Sequence, residues 1–204
     1  MRERHGEGHE EEQVESDTRQ RLLEAAEKVT LREGVSKMTL DAVCEEAGMS
    51  KGGLFYHFSG KDDLISGMIS RLVERFERDI EANLAGEGAG RWVGAYAEAA
   101  SPLSGDKERE LSVTAALMAA MANDPALAEP LRERYAFWQA QMEDDGLDPA
   151  FATLMRLAID GLWLSKLFGL APPSGEFREE VLAEALRMIG QAADTADQED
   201  KESP

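Results

Sequence analysis

One short stretch limits the choice of fold more than any other part of the chain: Gly-Met-Ser-Lys-Gly-Gly-Leu-Phe-Tyr-His-Phe-Ser-Gly-Lys, residues 48–61. Leu40, Val43, Cys44 and Ala47 precede it at i, i+3, i+4, i+7 spacing, so Gly48 predicts the end of a short one-sided helix and a tight turn. Met49 plugs the turn, and Ser50 offers a side-chain oxygen to cap the next helix. Leu54 and Phe58, four residues apart, anchor that helix to a core and leave Lys51, Gly52, Gly53, Phe55, Tyr56 and His57 for other surfaces. Glycine inside a helix costs about 1 kcal/mol against alanine. The adjacent Gly52 and Gly53 therefore need a reason. Either a frayed helix start tolerates them, or their missing side chains let the backbone sink into the major groove of DNA.

The flanking residues complete a three-helix unit. Leu22, Ala26 and Val29 form an apolar stripe on a helix expected from about Thr18 to Glu33, and Gly34 stops it. Thr39 can cap the second helix, with Asp41 in its first turn, where the helix dipole favours an anion. Cys44 lies on the apolar face and reads as a small core residue rather than a reactive thiol. Ser59 and Asp62 form an S-x-x-D capping signature for a fourth helix. Lys61 then falls in a first turn, where the dipole disfavours a cation. A phosphate at that helix N-terminus would explain it, and a solvated surface lysine is the plainer alternative.

Net charge argues against a nucleic-acid partner at first sight. The chain carries 22 basic and 41 acidic residues, a formal net of -19, and DNA repels such a surface. The charge is unevenly spread, however. Residues 18–61 hold seven basic and six acidic residues, whereas 1–17 hold two and seven, and 62–204 hold 13 and 28. Screening over roughly 8–10 Å in physiological salt makes the local surface count for more than the total. Weak non-specific binding and a need for two linked copies are expected. The single cysteine excludes an intramolecular disulfide framework and the multi-cysteine zinc patterns. No apolar run reaches the roughly 18–20 residues of a membrane span, and Met1–Asp17 has no apolar stretch of a secretory signal. A soluble, cytoplasmic protein with no membrane partner is expected. Residues 1–17 and 191–204 are polar and acidic and read as disordered tails, with His5 and His9 solvated rather than metal-bound.

The combination of Thr39, Ala47-Gly48-Met49-Ser50 and Leu54-Phe55-Tyr56-His57-Phe58, with Lys61 three places on, is specific. Residues 18–68, about a quarter of the chain, resemble the N-terminal DNA-binding domain of tetracycline-repressor-like (TetR) regulators. The resemblance implies an all-α homodimer that binds double-stranded DNA, with a helix-turn-helix domain (18–61) and a C-terminal helical ligand-binding and dimerisation domain (62–190). By position it implies that Thr39, Ser50, Tyr56, His57 and Lys61 meet phosphates, and that Lys51, Gly52 and Gly53 meet base edges. Lys51 is the only long side chain at the start of the recognition helix and suits guanine O6 or N7. The family usually has tyrosine where this chain has Phe55, so Tyr56 is the candidate to supply the missing phenolic hydroxyl. A symmetric dimer would present two such helices to half-sites one helical turn apart. The expected operator is therefore palindromic, and the expected role is a repressor released by a small molecule.

Helix signals dominate the remainder, strand signals are absent, and about nine helices are expected in all. A fourth helix from about Lys61 to Leu84 carries the stripe Leu64, Met68, Leu72, Phe76 and Ile80, suited to passing a ligand-driven shift to the DNA reader. Others are predicted near 89–101, 107–122, 126–144, 148–169 and 176–190, separated by Asn123-Asp124-Pro125 and Ala171-Pro172-Pro173-Ser174-Gly175. Trp92, Tyr96, Met118, Met121, Tyr135, Trp138, Met142, Met155 and Trp163 suit an adaptable apolar cavity as a set, although each taken singly reads as plain core. Asp160 sits in an otherwise apolar run, placed to pair with Arg156 one turn back or to meet a cationic or hydroxyl-bearing ligand. The run Leu154 to Phe168, including Gly161 and Leu162, is apolar on nearly every side. With Val181, Leu182, Leu186 and Ile189 of the last helix it reads as a four-helix dimer interface, with burial within a monomer as the alternative.

No nucleophile–base pair, metal spacing or phosphate loop appears, so neither an enzyme nor a metal site nor a cofactor is expected. The stronger rival is a helical small-molecule-binding or scaffold protein with little DNA affinity, which the net charge of -19 and Phe55 favour.

Overall fold

The computed structural model describes the backbone of residues 4–100 and 107–202 and the side chains of 15–100 and 110–198. The described residues form nine α-helices and one 3₁₀ turn. These are α1 (Arg4–Glu33), α2 (Leu40–Ala47), α3 (Lys51–His57), α4 (Lys61–Asn83), α5 (Arg91–Ala99), α6 (Lys107–Asn123), the 3₁₀ turn Pro125–Ala128, α7 (Glu129–Glu143), α8 (Pro149–Phe168) and α9 (Gly175–Glu202). The all-α expectation holds. The helix expected near 126–144 is divided, because the Asp124 carboxylate accepts from the Ala126 N–H at 3.0 Å and holds a separate turn. None of the described helices is long and apolar enough to cross a membrane.

The two terminal helices extend into the acidic ends of the chain. Within the stretches 1–17 and 191–204, which read as tails, α1 begins at Arg4 and α9 continues to Glu202. The first is rich in Glu and the second in Ala, Asp and Gln, and neither carries a proline within its helix, so both can continue a helix that a packed segment nucleates. The side chains of His5 and His9 lie outside the described residues.

The chain divides into two compact units, residues 1–71 with 112–128, and residues 72–111 with 129–204. The helices α4 and α6 each contribute residues to both. In the first unit, Leu22, Ala26 and Val29 of α1 are completely buried, as are Val43 of α2, Leu54 of α3 and Leu64 of α4. Gly67 sits where α4 meets α1 and α3. A Cβ there would lie 2.8 Å from Phe58 Cε1 and 3.2 Å from Leu23 Cδ2, so the crossing admits no side chain. Arg71, itself buried, donates to Glu24 at 3.2 Å and pairs with Glu27 at 3.5 Å, which ties α4 to α1.

The second unit packs Ile80, Val93, Tyr96, Trp138, Met142, Ile159 and Ile189 into one core. The residue before α5, at its N-cap, is Gly90, which has no side chain to cap the helix. The Asp145 carboxylate, from the α7–α8 connection, accepts from the Trp92 and Val93 N–H groups at 2.9 Å each. A cap supplied from 53 residues away thus satisfies two orphan donors of α5.

Candidate functional site

The recognition element is built by caps. Gly48, at φ 65° and ψ 37°, closes α2. Its N–H reaches Glu45 O at 3.2 Å while the Met49 N–H reaches Cys44 O at 2.9 Å, the paired bonds of a Schellman motif. Thr39 Oγ1 accepts from Ala42 N–H at 3.2 Å and Ser50 Oγ from Gly53 N–H at 3.2 Å, so both expected N-caps are present. A hydroxyl that accepts one such bond keeps its own proton free to donate. Thr39 and Ser50, both exposed, can therefore cap a helix and donate to a phosphate at once. Arg21 donates to Ala47 O at 3.1 Å, and Arg32 and Lys28 of α1 pair with Glu46 at 3.1 and 3.4 Å, which fixes α2 on α1.

On α3, Leu54 and Phe58 turn inward, while Phe55 is 53% and Tyr56 72% exposed. The Tyr56 and His57 rings meet edge-on, 5.0 Å between centroids. Gly52 faces open space: a Cβ there would find only Ser50 Oγ, at 3.9 Å. At Gly53 the nearest atom would be Met49 Cε at 3.4 Å, an ordinary contact. Neither glycine is demanded by the fold itself.

Two polar details were not legible in the sequence. The ammonium of Lys51 is not free, because it lies 2.6 Å from Asp41 Oδ1 at the start of α2. That contact raises the Lys51 pKa above the usual lysine value. Lys61 Nζ donates to Ser36 O at 3.0 Å, bracing the start of α4 against the α1–α2 connection. The α4 capping contact also differs by one residue. Asp63, not Asp62, accepts from the Ser59 N–H (2.8 Å) and hydroxyl (3.0 Å), because the Leu64 N–H bonds Gly60 O and so puts Asp63 at the third helical position. Cys44 is buried, and that burial pushes its thiol up.

The second unit brings together most of the expected ligand-site residues. Tyr96 donates to Asp160 Oδ1 at 2.6 Å, Tyr135 to the same oxygen at 3.5 Å, and Arg156 to Asp160 Oδ2 at 2.8 Å. Burial nonetheless holds the Asp160 carboxyl above the ordinary carboxylate range. Burial likewise pushes the Tyr135 phenol up to about 12 and the Tyr96 phenol higher still. Rings of Phe76, Tyr96, Tyr135 and Trp138 contact one another at centroid distances of 5.0–6.0 Å. Trp138 Nε1 donates to Glu77 at 3.2 Å, and Arg134 donates to the same carboxylate. Met142, Met155 and Trp92 join this core, with Trp92 edge-on to Phe137 at 6.0 Å. Trp163 is half-buried on α8, and Met118 and Met121 are half-buried on the part of α6 that belongs to the first unit. A separate open cleft of about 380 Å³ lies beside the α5 N-terminus, lined by Arg91, Trp92, Gln141, Asp144 and neighbours. Of the expected ligand residues, Trp92 lines it.

The last two helices leave an apolar face uncovered. Leu154 is 60% exposed, Leu157, Leu164 and Phe168 follow on α8, Phe177 and Met188 on α9, and Gly161 is open. Leu162, Val181 and Leu186 are half-buried. Leu182 and Ile189, also expected at a dimer interface, are buried in this chain's core with Tyr96 and Trp138.

Two family models match the chain. One for bacterial regulatory proteins of the tetR family matches residues 22–68. One for tetracyclin repressor-like C-terminal domains matches residues 90–190. The chain belongs to the tetR family of bacterial regulatory proteins. Among tetR-family relatives, the HTH-type transcriptional regulator SrpR of Pseudomonas putida is 34% identical over 68 residues, 33% of this chain and 32% of SrpR, so the match spans about a third of that relative. A solved transcriptional regulator from Rhodococcus sp. Rha1 is 28% identical with a TM-score of 0.68, over 86% of this chain and 97% of that one. The multidrug binding protein EbrR, solved in complex with malachite green, is 25% identical with a TM-score of 0.63, over 84% of this chain and 96% of its own.

Proposed function

We propose that this chain is a ligand-responsive transcriptional repressor that binds a palindromic operator as a homodimer through α3 and is released by a small apolar or amphipathic molecule. The observation that carries the DNA reading is the pair Gly52 and Gly53. They sit in the first turn of an exposed helix, with open space at Gly52, and the fold gives no reason to omit side chains there. A groove wall pressed against the helix backbone supplies one. Around them Thr39, Ser50, Tyr56, His57 and Lys61 offer hydroxyl, ring N–H and ammonium donors for phosphates, while Lys51 is the candidate for a base edge.

Dimerisation is supported by the uncovered face of α8. Leu154, Leu157, Gly161, Leu164 and Phe168 recur every three or four residues, an apolar stripe of the kind that marks an interface. Effector binding is supported by the aromatic core around Tyr96, Tyr135 and Trp138, where Asp160 adds a half-buried carboxylate to apolar surroundings. EbrR, which is similar in sequence and fold, is a multidrug binding protein solved in complex with malachite green. Sequence-random duplex binding followed by enrichment of retained DNA tests the reading. The tetR-family chain is expected to enrich a two-fold symmetric sequence and to sediment as a dimer at micromolar concentration. The net charge of -19 favours the rival, a ligand-binding or scaffold protein without DNA affinity, which the same experiment would reveal by enriching nothing.

A further inference from the structure

The Asp41–Lys51 pair is short, at 2.6 Å, yet its side chains are 68% and 60% exposed. Ion pairs in such open positions add little to stability. The contact nevertheless joins the first turn of α2 to the first residue of α3, the one residue of the recognition helix with a long cationic side chain. Paired in this way, Lys51 contributes almost no net charge to the face. Other acids on α2 do not do this. Glu46 is engaged by Arg32 and Lys28 of α1, and Glu45, exposed one turn beyond Asp41, forms no ion pair among the described residues.

Resting on the DNA reading above, we propose that Asp41 is a specificity-determining residue, which aims Lys51 at base edges and withholds it from phosphates. An ammonium has three donors, so one can stay on the carboxylate while two reach guanine O6 and N7. A Lys51 that swung toward the backbone would leave the Asp41 carboxylate unpaired beside the phosphates, an arrangement that like-charge repulsion disfavours. On a random duplex the pair therefore stays closed and releases no counterion. On the operator the guanine rewards the aimed geometry.

The test uses the full chain, an operator enriched from a random-duplex library, and a scrambled duplex of the same length, with affinities measured across a salt series. For Asp41→Asn, binding to the scrambled duplex is expected to tighten about tenfold. Its plot of log affinity against log salt is expected to steepen by about 0.9, the share of one added phosphate contact. Operator affinity is expected to change less, so the specificity ratio falls. Asp41→Glu, which keeps the carboxylate, restores the ratio, and Glu45→Gln shifts both duplexes alike. In a Lys51→Ala background the Asp41→Asn effect on the ratio vanishes, since the two residues act as one unit. An unchanged ratio in Asp41→Asn, or equal gains on both duplexes as in Glu45→Gln, overturns the proposal and leaves the DNA reading intact. A library that enriches no duplex with the unaltered chain removes the DNA reading, and the Asp41 role with it.

Discussion

Replacing Gly52 by alanine separates what the fold needs from what a partner needs. A Cβ at Gly52 would meet nothing but Ser50 Oγ at 3.9 Å, and the residue does not occupy the left-handed region. The methyl therefore costs the isolated protein nothing in contacts or backbone strain. It removes part of the entropy that glycine loses in a helix, about 0.5 kcal/mol in a first turn, the lower end of the usual glycine-to-alanine difference. For a chain of this size that corresponds to a rise of about 1–2 °C in melting temperature. The same methyl points away from the core, toward the surface that a DNA groove would occupy. Carbon atoms need about 3.5–4.0 Å between centres, so a helix backbone seated against base edges would have to lift. A loss of at least about tenfold in operator affinity, near 1.4 kcal/mol, is expected. Thermal unfolding followed by circular dichroism and fluorescence anisotropy with a labelled operator read the two effects on one preparation. A variant that melts lower, or one that binds the operator as tightly as the parent, would refute the argument that the glycine serves the interface.

Further outcomes follow from the same geometry. Lys61→Ala should weaken operator and scrambled duplex about equally and flatten the salt slope by about one; a slope that does not move contradicts a phosphate contact. Asp145→Ala should destabilise the protein by about 1–2 kcal/mol, seen as a lower urea midpoint, because two N–H groups at the start of α5 lose their acceptor. Cys44 should resist a thiol reagent such as Ellman's at pH 8 until denaturant is added, since burial both covers it and raises its pKa; rapid labelling of the native chain would contradict its place in the core. Asp160 titrates above its unfolded value, so the folded state holds the extra proton between the two, and its contribution to stability falls as pH rises above about 4. Urea midpoints measured from pH 4 to 7 should show a flatter profile in Asp160→Asn than in the parent.

Local features were readable from residue order because their causes are local. The N-caps at Thr39 and Ser50, the left-handed Gly48 and the inward pair Leu54 and Phe58 each depend on residues within four positions. The Asp160–Arg156 pair is likewise an i, i+4 contact on one helix. Contacts that bridge distant segments carry no comparable signal. Nothing in the sequence joins Asp145 to α5, Tyr96 to Asp160 across 64 positions, or Asp41 to Lys51 across a turn. The stripe on α9 shows the same limit in another form. Periodicity marks Leu182 and Ile189 as apolar positions on one face but does not say whether that face meets its own core or a second copy. The ends of the chain show a further limit: charge composition signals solvation, and Glu-rich segments are also good helix formers.

The central claim is that α3 enters a DNA groove while Thr39, Ser50, Tyr56, His57 and Lys61 hold the flanking phosphates. Hydroxyl-radical footprinting of the full chain on its enriched duplex, at about 0.15 M salt, addresses it most directly. The account expects two protected patches related by two-fold symmetry, about one helical turn apart, both lost when Gly52 is replaced by a bulky residue. Uniform cleavage along every duplex offered, with the chain folded, would contradict it.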